Sequence, residues 1–372
     1  MRLASKGKTI KIIAAFLMLL SLTACGFDPI FKVDDMAIEE DDNSEGLTVI
    51  GFSQPGAESA WRVALTDSVQ AAFTEEKGYK LIYKDGKSKQ DNQIKDVRTF
   101  IQQGVDYIII SPIVETGWDS VLEEAKNAGI PVIICDRNVK VSNESLYTAF
   151  IGSNFRKEGR QAIEQVCKEL ETETQVAEDI AVEDADAEIT EIEDVGSEDD
   201  VEPDTFNIVH MQGTIGSSAQ EGRSAALLNA VEDDENWEIV ASASGEFTKA
   251  KAREQMTNIL SEIDGHTIDM VYCENDEMAL GVMAALNEAG LSYGRNEGIM
   301  IVSFDGTKAA LEQCLAGKIN VEMECNPLQG PFLYNIIDAL QRGESVPKIT
   351  YVDEKYFTQE SLNTDIIESR QY

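Results

Sequence analysis

Residues 105–136 read VDYIIISPIVETGWDSVLEEAKNAGIPVIICD, which is an apolar run, an amphipathic stretch and a second apolar run. Each apolar run is short and rich in isoleucine or valine, as is typical of a strand buried on both faces. The stretch between them has the spacing of a helix. A strand, a helix and a second strand in this order form the repeating unit of a parallel sheet covered by helices. This stretch therefore predicts an α/β fold.

The same alternation continues in both directions. The runs LTVIGF (47–52) and YKLIYKD (79–85) precede it, and helical patterns are predicted at 57–77, 89–103 and 115–129. After residue 147 the pattern restarts with the runs YTAFIG, FNIVHMQG, WEIVASAS, IDMVYCE and GIMIVSFDG. Helical stretches are predicted between and after these runs, at 154–170, 217–232, 248–263, 276–289 and 307–316.

We therefore predict two doubly wound parallel-sheet α/β domains joined by a hinge of several crossings. The first domain is expected at 47–149 plus 326–356, and the second at 150–325 plus 357–372. In sheets of this kind ligands bind beyond the carboxyl ends of the strands, where helix N-termini also point. The cleft between the two domains is therefore the expected binding site.

The acidic residues are concentrated in two segments. The formal net charge is -37, and residues 169–204 hold 17 Asp or Glu without a single Lys or Arg, while residues 34–45 hold seven more acids. We expect 171–204 to be a disordered acidic insertion, because a long connection of like charges repels itself. A calcium site or a cationic partner is the alternative, although the spacing lacks the glycine of an EF-hand loop. An acidic surface also argues against nucleic acid as a partner.

The cysteines and histidines give no support to metal binding or catalysis. Beyond Cys25 there are five cysteines and, in the whole chain, two histidines, and none has the spacing of a metal site or a catalytic triad. Cysteines in apolar runs are expected to behave as small buried hydrophobic residues. We therefore predict neither a metal nor a cofactor.

The first 25 residues have the features of an export signal. A basic start is followed by the apolar segment 12–22, which has the length of a signal-peptide core and is too short to span a bilayer comfortably. The tetrapeptide Leu22-Thr-Ala-Cys25 resembles the lipobox of bacterial lipoproteins, in which Cys25 would carry the lipid. An ordinary secretory signal with an incidental cysteine is the alternative. We predict a signal peptide at 1–24, an acidic tether at 25–46 and a protein outside the cell membrane, lipid-anchored or periplasmic.

Polar motifs stand at the strand ends in a specific order. They are GFSQPGAESAWR (51–62), DGKSKQDNQ (85–93), QGVD (103–106), SPIVETGW (111–118), DR (136–137), QGTIGSS (212–218) and SFDG (303–306). With these motifs the chain resembles, over about 47–360, the type I periplasmic sugar-binding proteins of ABC transporters. Within that class it is most similar to the galactofuranose-binding proteins.

The resemblance implies a monomeric binding protein without enzymatic activity. It would capture a monosaccharide, galactofuranose or a similar sugar, in an interdomain cleft and deliver it to an ABC transporter permease. There are three rivals, and the last of them is disfavoured because an export signal and an acidic tether precede the core. A sensor would present the sugar to a receptor kinase or chemoreceptor, a secreted carbohydrate-active enzyme would need paired carboxylates at a reacting bond, and a transcriptional repressor would need a helix-turn-helix head before the core.

Nine residues are expected to bind the sugar. Charged side chains can hydrogen-bond its hydroxyls, and aromatic rings can cover its C–H faces. Three of them follow the first strand directly, and the family pattern supplies or supports the other six. The nine are Glu58, Trp61, Arg62, Asp136, Arg137, Arg223, Phe247, Asn275 and Asp305.

Each of these residues also has a plainer interpretation. Trp61 or Phe247 could belong to a core, Arg62 could be a solvated charge, and Asp136 and Arg137 could form a structural salt bridge. Asp85 either contacts sugar or caps the next helix, and the last contact of the family could fall on Glu324 or Cys325. Ala60 replaces the glycine that the family pattern leads us to expect, which would narrow the pocket.

Overall fold

The computed structural model describes residues 46–185, 205–295 and 298–372. The predicted signal peptide, the lipid-bearing Cys25, the acidic tether up to residue 45 and the insertion residues 186–204 lie outside the described residues. Those four predictions therefore stay predictions. Among the helices that are described, none is both long and apolar enough to cross a bilayer.

The described chain alternates strands and helices. The strands are β1 (Thr48–Gln54), β2 (Tyr79–Asp85), β3 (Tyr107–Ile110), β4 (Val132–Asp136), β5 (Ala149–Gly152), β6 (Phe206–Gln212), β7 (Trp237–Ser244), β8 (Met270–Cys273), β9 (Met300–Asp305), β10 (Val321–Glu324), β11 (Ile349–Tyr351) and β12 (Tyr356–Phe357). The helices are α1 (Ala60–Ala72), α2 (Gln90–Gln103), α3 (Asp119–Asn127), α4 (Phe155–Ala185), α5 (Ser218–Asp233), α6 (Lys249–Glu262), α7 (Asp276–Ala289), α8 (Lys308–Leu315), α9 (Gly330–Gln341) and α10 (Thr364–Glu368).

The strands form two six-stranded sheets, which confirms the predicted fold of two α/β domains. The first sheet has the order β11-β5-β4-β3-β1-β2, and its strands all pair in parallel. The second has the order β12-β10-β9-β8-β6-β7, with only the short β12 antiparallel to its neighbour β10. The continuous apolar runs form the central strands, and Ile108, Ile109 and Ile110 of β3 are fully buried, because helices cover both faces.

Strand β5 corrects the predicted domain boundary. Residues 149–152 pair in parallel with β4, so they belong to the first sheet and the first domain extends to Gly152 instead of 149. The connection from β4 to β5 contains only a 3-10 turn at Glu144–Leu146. Because no helical period separates the two strands in the sequence, the pattern looks as if it restarts at β5.

Helix α4 corrects part of the predicted disordered insertion. The helix runs to Ala185, so residues 171–185 continue it beyond the predicted end near Leu170. This part of the sequence, ETETQVAEDIAVEDA, is rich in Glu and Ala and contains neither Gly nor Pro. Residues with good helix propensity can prolong a helix that is already nucleated by tertiary packing, in spite of their like charges.

The chain passes between the two domains three times. The first crossing is 153–154, between β5 and α4; the second is 325–329, between β10 and α9; the third is 352–355, between β11 and β12. Apart from the short β12, the strands within each sheet point the same way, so the loops after β1, β4, β6, β7, β8 and β9 lie at the carboxyl edges of the sheets. The cleft residues come from these loops.

Candidate functional site

Arg62 is the centre of the site in the first domain. Ser59 caps α1 by accepting a hydrogen bond from the Arg62 backbone N–H, which places Arg62 in the first turn of that helix. Its Nη1 lies 2.5 Å from Asp136 Oδ2 and 3.0 Å from Ser111 Oγ, and its Nε lies 3.1 Å from Glu58 Oε1. The side chain is buried, so Arg62 is a held hydrogen-bond donor and not a solvated charge.

Asp136 and Arg137 lie at the end of β4 and do not form a simple pair with each other. Asp136 Oδ2 accepts from Arg62 and, at 2.8 Å, from Ser111 Oγ, whereas Arg137 Nε is 3.9 Å away. The Arg137 guanidinium instead lies 4.8 Å from the ring centre of Phe247 in the second domain. This cation–π contact therefore joins the two domains across the cleft.

Arg223 occupies the corresponding position in the second domain. Its Nε donates to Glu158 Oε2 at 2.8 Å, its Nη1 donates to the Glu274 carbonyl at 2.5 Å, and its Nη2 lies 3.6 Å from Asp305 Oδ1. The guanidinium also packs 4.7 Å from the ring centre of Phe304. Hydrogen bonds therefore fix the guanidinium at Nε and Nη1, and Nη2 has only the longer contact with Asp305.

Asn275 and Phe247 come from the loops that precede α7 and α6. Asn275 is the N-cap of α7: its Oδ1 accepts from Met278 N at 3.0 Å, and its Nδ2 donates to Asp305 Oδ2 at 3.3 Å. Phe247 precedes Thr248, the N-cap of α6. Helix capping thus fixes the backbone directly beside each of these two side chains.

Three of the predicted residues have left-handed backbone conformations. The φ angles are 60° for Asp136, 59° for Phe247 and 121° for Asp305. Residues other than glycine adopt such angles rarely and at an energetic cost, which is why they concentrate where geometry serves binding. The chain therefore bends sharply at these strand ends to turn the side chains toward the cleft.

Trp61 connects α1 to the second crossing. Its indole N–H donates to the carbonyl of Cys325 at 2.5 Å, and the Arg62 guanidinium lies 4.8 Å from its ring centre. The ring belongs to the hydrophobic core and also lines the cleft. The two interpretations of Trp61, core residue and cleft residue, are therefore both correct.

The structure brings all nine predicted residues around one cavity between the domains. The cavity is small, about 20 Å³, which is room for about one water molecule. Its lining also includes four residues outside the predicted nine, namely Ser59, Phe155, Ala219 and Cys325. Phe155 comes shortly after the end of β5, and position after a strand end is the feature that also points to the other cleft residues. The sequence does not single it out, because the predicted domain boundary places β5 in the wrong domain.

The structure also shows where the residues lie whose part in the site the sequence analysis left undecided. Cys325 lines the cavity, whereas Glu324 accepts a hydrogen bond from Arg370 Nη1 at 2.5 Å and is not part of the lining. Asp85 is exposed, and its Oδ1 accepts from the backbone N–H of Lys87 at 2.7 Å. Ala60 is exposed and lies outside the lining, so it does not narrow this cavity.

Burial and neighbouring charges act in opposite directions on the ionisable groups. Burial by itself would raise the pKa of Glu58, but the charges of Arg62 and Arg137 outweigh it and leave that pKa below its usual value. Burial lowers the pKa of Arg137 to about 10, and Arg62 contributes to the lowering. Burial raises the pKa of Asp305 well above its usual range, although Arg223 opposes the shift.

Two buried polar atoms in this cavity lack hydrogen-bond partners among the described residues. They are Glu58 Oε2, an acceptor in the first domain, and Arg223 Nη2, a donor in the second. Buried polar groups in folded proteins are nearly always paired, so an unpaired acceptor and donor that face one cavity indicate a missing polar partner. The site can therefore bind a ligand that both donates and accepts hydrogen bonds.

A larger cavity lies elsewhere in the second domain. It measures about 420 Å³ and is lined by residues at the opposite edge of the second sheet, including Phe206, Asp269, Leu291 and Met300. These residues lie where β6, β8 and β9 begin. Ligands of parallel α/β sheets bind at the carboxyl ends of the strands, so the smaller interdomain cavity is the functional candidate.

Comparisons with known proteins agree with the fold. Residues 50–345 match the family model described as a periplasmic binding protein domain. The galactofuranose-binding protein YtfQ of Escherichia coli (strain K12) is 33% identical over 300 residues, which cover 80% of this chain and 84% of that protein. The periplasmic binding protein component of the arabinose ABC transporter from Shewanella sp. ANA-3, solved with bound α- and β-L-arabinofuranose, is 38% identical with a TM-score of 0.72 and covers 87% of this chain and 96% of its own.

A second solved structure has a furanose ligand as well. A Mycobacterium smegmatis protein in complex with β-D-fucofuranose is 37% identical, has a TM-score of 0.70 and covers 84% of this chain and 91% of its own. The relatives are binding and import proteins, not enzymes. Given a family model that matches most of the sequence and two parallel-sheet domains that meet at a polar cavity, the chain belongs to the periplasmic binding protein family.

Proposed function

We propose that this protein binds a neutral monosaccharide in its furanose form, galactofuranose or a similar sugar, between its two domains. The observation that carries the proposal is the convergence of the nine predicted residues on a cavity where neither Glu58 Oε2 nor Arg223 Nη2 has a hydrogen-bond partner among the described residues. A sugar hydroxyl can donate to the first and accept from the second. The furanose ligands of the relatives and the galactofuranose-binding protein among them support this choice of sugar.

The charge balance of the site favours a neutral ligand. Arg62 is paired with Asp136 and Glu58, and Arg223 is paired with Glu158. Arg137 lies within 4 Å of both Glu58 and Asp136. A charged ligand would need an unbalanced charge of the opposite sign, whereas paired charges offer strong hydrogen bonds to hydroxyls without neutralising anything.

The aromatic residues fit the other half of a sugar's chemistry. Trp61, Phe155 and Phe247 line the same cavity as the charged groups. The C–H faces of a sugar ring are apolar and pack on aromatic rings, while its hydroxyls face the polar side chains. The site therefore has both surfaces that a monosaccharide requires.

Binding is proposed to depend on opening and closing of the domains. The cavity of about 20 Å³ is far smaller than the several hundred Å³ of a typical ligand site, so a sugar enters only when the domains move apart. The three crossings provide the hinge for that movement. After entry the domains close around the sugar, and the closed, loaded form is the one presented to a membrane permease.

The relatives and the sequence motif together support delivery to an ABC transporter permease from a lipid-anchored position. Relatives are named for import and for an arabinose ABC transporter. The anchor rests on the motif Leu22-Thr-Ala-Cys25 and the tether that follows it. Replacing Cys25 with Ser should release the protein from the membrane fraction of cells, and unchanged retention would contradict the anchor.

Isothermal titration calorimetry of the chain from residue 26 onward tests the sugar function directly. The panel contains D-galactose, D-fucose, L-arabinose and D-ribose, whose solutions include furanose forms. Saturable binding is expected with a Kd near micromolar, about 8 kcal/mol. Arg223→Ala should abolish it, and Arg98→Ala, which removes an exposed arginine paired with Glu124, should not. No heat and no thermal shift with any sugar would refute the sugar assignment.

A further inference from the structure

A single half-buried carboxyl group ties the three crossings together. Glu354 lies in the third crossing, and its Oε1 accepts hydrogen bonds from Ser153 Oγ of the first crossing at 2.5 Å and from Asn326 N of the second at 2.8 Å. The Cys325 Sγ lies 3.2 Å from the same Ser153 hydroxyl. Movement about the hinge therefore acts directly on the environment of Glu354.

A second carboxyl group faces it from the second domain. Glu158 lies in the first turn of α4, and its Oε2 accepts from Arg223 Nε at 2.8 Å. Its Oε1 is buried and accepts no hydrogen bond from the described part of the chain. A carboxyl oxygen of Glu158, one of Glu354 and the Cys325 Sγ lie within 4.8 Å of one another. Two buried carboxylates this close repel each other unless one holds a proton.

We propose that Glu354 is protonated when the domains are closed and donates its proton to Glu158 Oε1, which makes this carboxyl pair a positioning element between the hinge and Arg223. Glu158 holds the Arg223 guanidinium, and Arg223 Nη2 faces the cavity. A hydrogen-bonded chain then runs from Ser153 through Glu354 and Glu158 to Arg223. The effect on ligand binding rests on the proposed sugar site, whereas the shared proton does not.

Burial and the neighbouring carboxylate of Glu158 favour the protonated state of Glu354. The ionisable groups that face the pair are Arg223 from α5, Cys325 from the second crossing and Asp305 from the end of β9. Burial, with a contribution from Glu158, raises the pKa of Glu354 to about 9. Burial also raises the pKa of the Cys325 thiol, so it stays protonated and adds no negative charge.

The same three side chains have the donor atoms of a metal site, but their hydrogen bonds favour a proton. Arg223 Nε already occupies Glu158 Oε2, and the Ser153 hydroxyl already donates to Glu354 Oε1. A divalent cation would also lie close to the Arg223 guanidinium, which carries the same sign of charge. A proton satisfies Glu158 Oε1 without breaking either hydrogen bond.

The pH dependence of stability follows from the raised pKa. The contribution of Glu354 is fully present below its unfolded pKa of about 4.5 and is lost as the pH rises toward its folded pKa of about 9. In Glu354→Gln the amide NH2 donates to Glu158 at every pH, and the amide oxygen accepts from Ser153 and Asn326. This variant should therefore not lose that contribution to stability as the pH rises.

Thermal unfolding of the chain from residue 26 onward, measured between pH 6 and pH 9, is the decisive measurement. The unfolding midpoint of the wild type should fall by about 4 °C or more relative to that of Glu354→Gln. Asp353→Asn, an exposed neighbour in the same crossing, should follow the wild type. Parallel profiles for the wild type and Glu354→Gln would overturn the proposal. So would native mass spectrometry that finds Zn²⁺ or Mn²⁺ bound to the wild type and lost in Glu354→Gln.

Titration with L-arabinose tests the positioning role separately. Glu354→Ala leaves Glu158 Oε1 unpaired, so affinity should fall by about tenfold at pH 7. Wild-type affinity should decline from pH 7 to 9.5, whereas that of Glu354→Gln should be independent of pH. Unchanged affinity in Glu354→Ala would overturn the positioning role. Failure of the wild type to bind any sugar of the panel would refute the sugar function. The unfolding profiles would still test whether Glu354 holds a proton in the folded protein.

Discussion

Phe247 illustrates how single residues are fitted to the cleft. It has a left-handed backbone, its ring lies against Gly213, and the Arg137 guanidinium lies 4.8 Å from the ring centre on the cleft side. A Cβ on residue 213 would overlap the ring. Only a glycine at this position leaves room for the ring, which explains the glycine that follows β6.

Gly213→Ala should therefore weaken sugar binding by displacing the Phe247 ring. We expect a loss of about 1–2 kcal/mol in affinity, from lost stacking and a disturbed cation–π contact. Gly343→Ala is the control, because a Cβ added at residue 343 meets no atom within 4 Å. It should leave the sugar affinity unchanged, although an alanine at a φ of 73° costs some stability. Calorimetry with both variants checks this, and equal affinities would contradict the role of Phe247.

Asp136 gives a second prediction at the scale of one residue. Asp136→Asn keeps the shape of the side chain but removes the charge that pairs with Arg62 at 2.5 Å. The buried Arg62 then loses its main partner, which should lower sugar affinity by about 2–3 kcal/mol. Asp106→Asn, at an exposed position before β3, is the matched control. A wild-type affinity for Asp136→Asn would show that Arg62 does not need this partner.

At the scale of elements, the helices of the cleft begin with capping residues. Ser59, Ser217, Thr248, Asn275 and Thr307 each accept a hydrogen bond from a backbone N–H in the first turn of the helix that follows. Ser, Thr and Asn are preferred at such positions because the first backbone donors of a helix have no partner within it. The caps fix where each helix starts and hence where its first side chains lie.

Ser217→Ala should show this coupling of cap and site. The Ser217 hydroxyl accepts from Gln220 N at 3.3 Å, and Arg223 lies one turn further along α5. We expect about 1 kcal/mol less stability and a several-fold weaker sugar affinity. Ser261→Ala, near the C-terminus of α6, is the control for loss of a hydroxyl. Chemical denaturation and calorimetry measure the two effects, and a stable variant with normal affinity would contradict the prediction.

For the whole molecule, an interdomain clasp closes the mouth of the cleft. The Glu115 N–H donates to the Gly216 carbonyl at 2.8 Å, and the Asn138 N–H donates to Ser218 Oγ at 2.8 Å. Lys140 of the first domain lies 3.4 Å from Glu221 of the second. We call these contacts the clasp. It stabilises the closed form, but it consists of so few contacts that the domains can still separate.

Ser218→Ala should weaken the clasp without unfolding either domain. Loss of one hydrogen bond between the domains favours the open form, so sugar affinity should fall by about threefold while the unfolding midpoint without sugar changes by less than about 1 °C. Small-angle scattering should show a more expanded protein without sugar and contraction when sugar is added. A radius that does not respond to sugar would contradict closure around the ligand.

The two α/β domains and the place of the first cleft residues after β1 follow from the pattern of the amino-acid sequence. Local patterns of apolar residues indicate where strands and helices lie. In a parallel sheet the loops that follow the strands all lie at its carboxyl edge, so these patterns also indicate which residues lie at that edge. The three residues chosen because they follow the first strand, and the six that the family resemblance supplied or supported, all line one cavity. Phe155 and the true boundary at Gly152 were missed because the connection before β5 contains no helix.

Only the tertiary structure decided which groups pair across distant segments. Arg62 with Asp136, Arg223 with Glu158 and Glu354 with Ser153 join residues that are 65 to 201 positions apart. No local pattern encodes such a pairing, because it depends on how the two sheets and the three crossings are placed in space. The same placement removes the Glu354 carboxyl group from water, which raises its pKa, and leaves Glu58 Oε2 and Arg223 Nη2 without hydrogen-bond partners among the described residues.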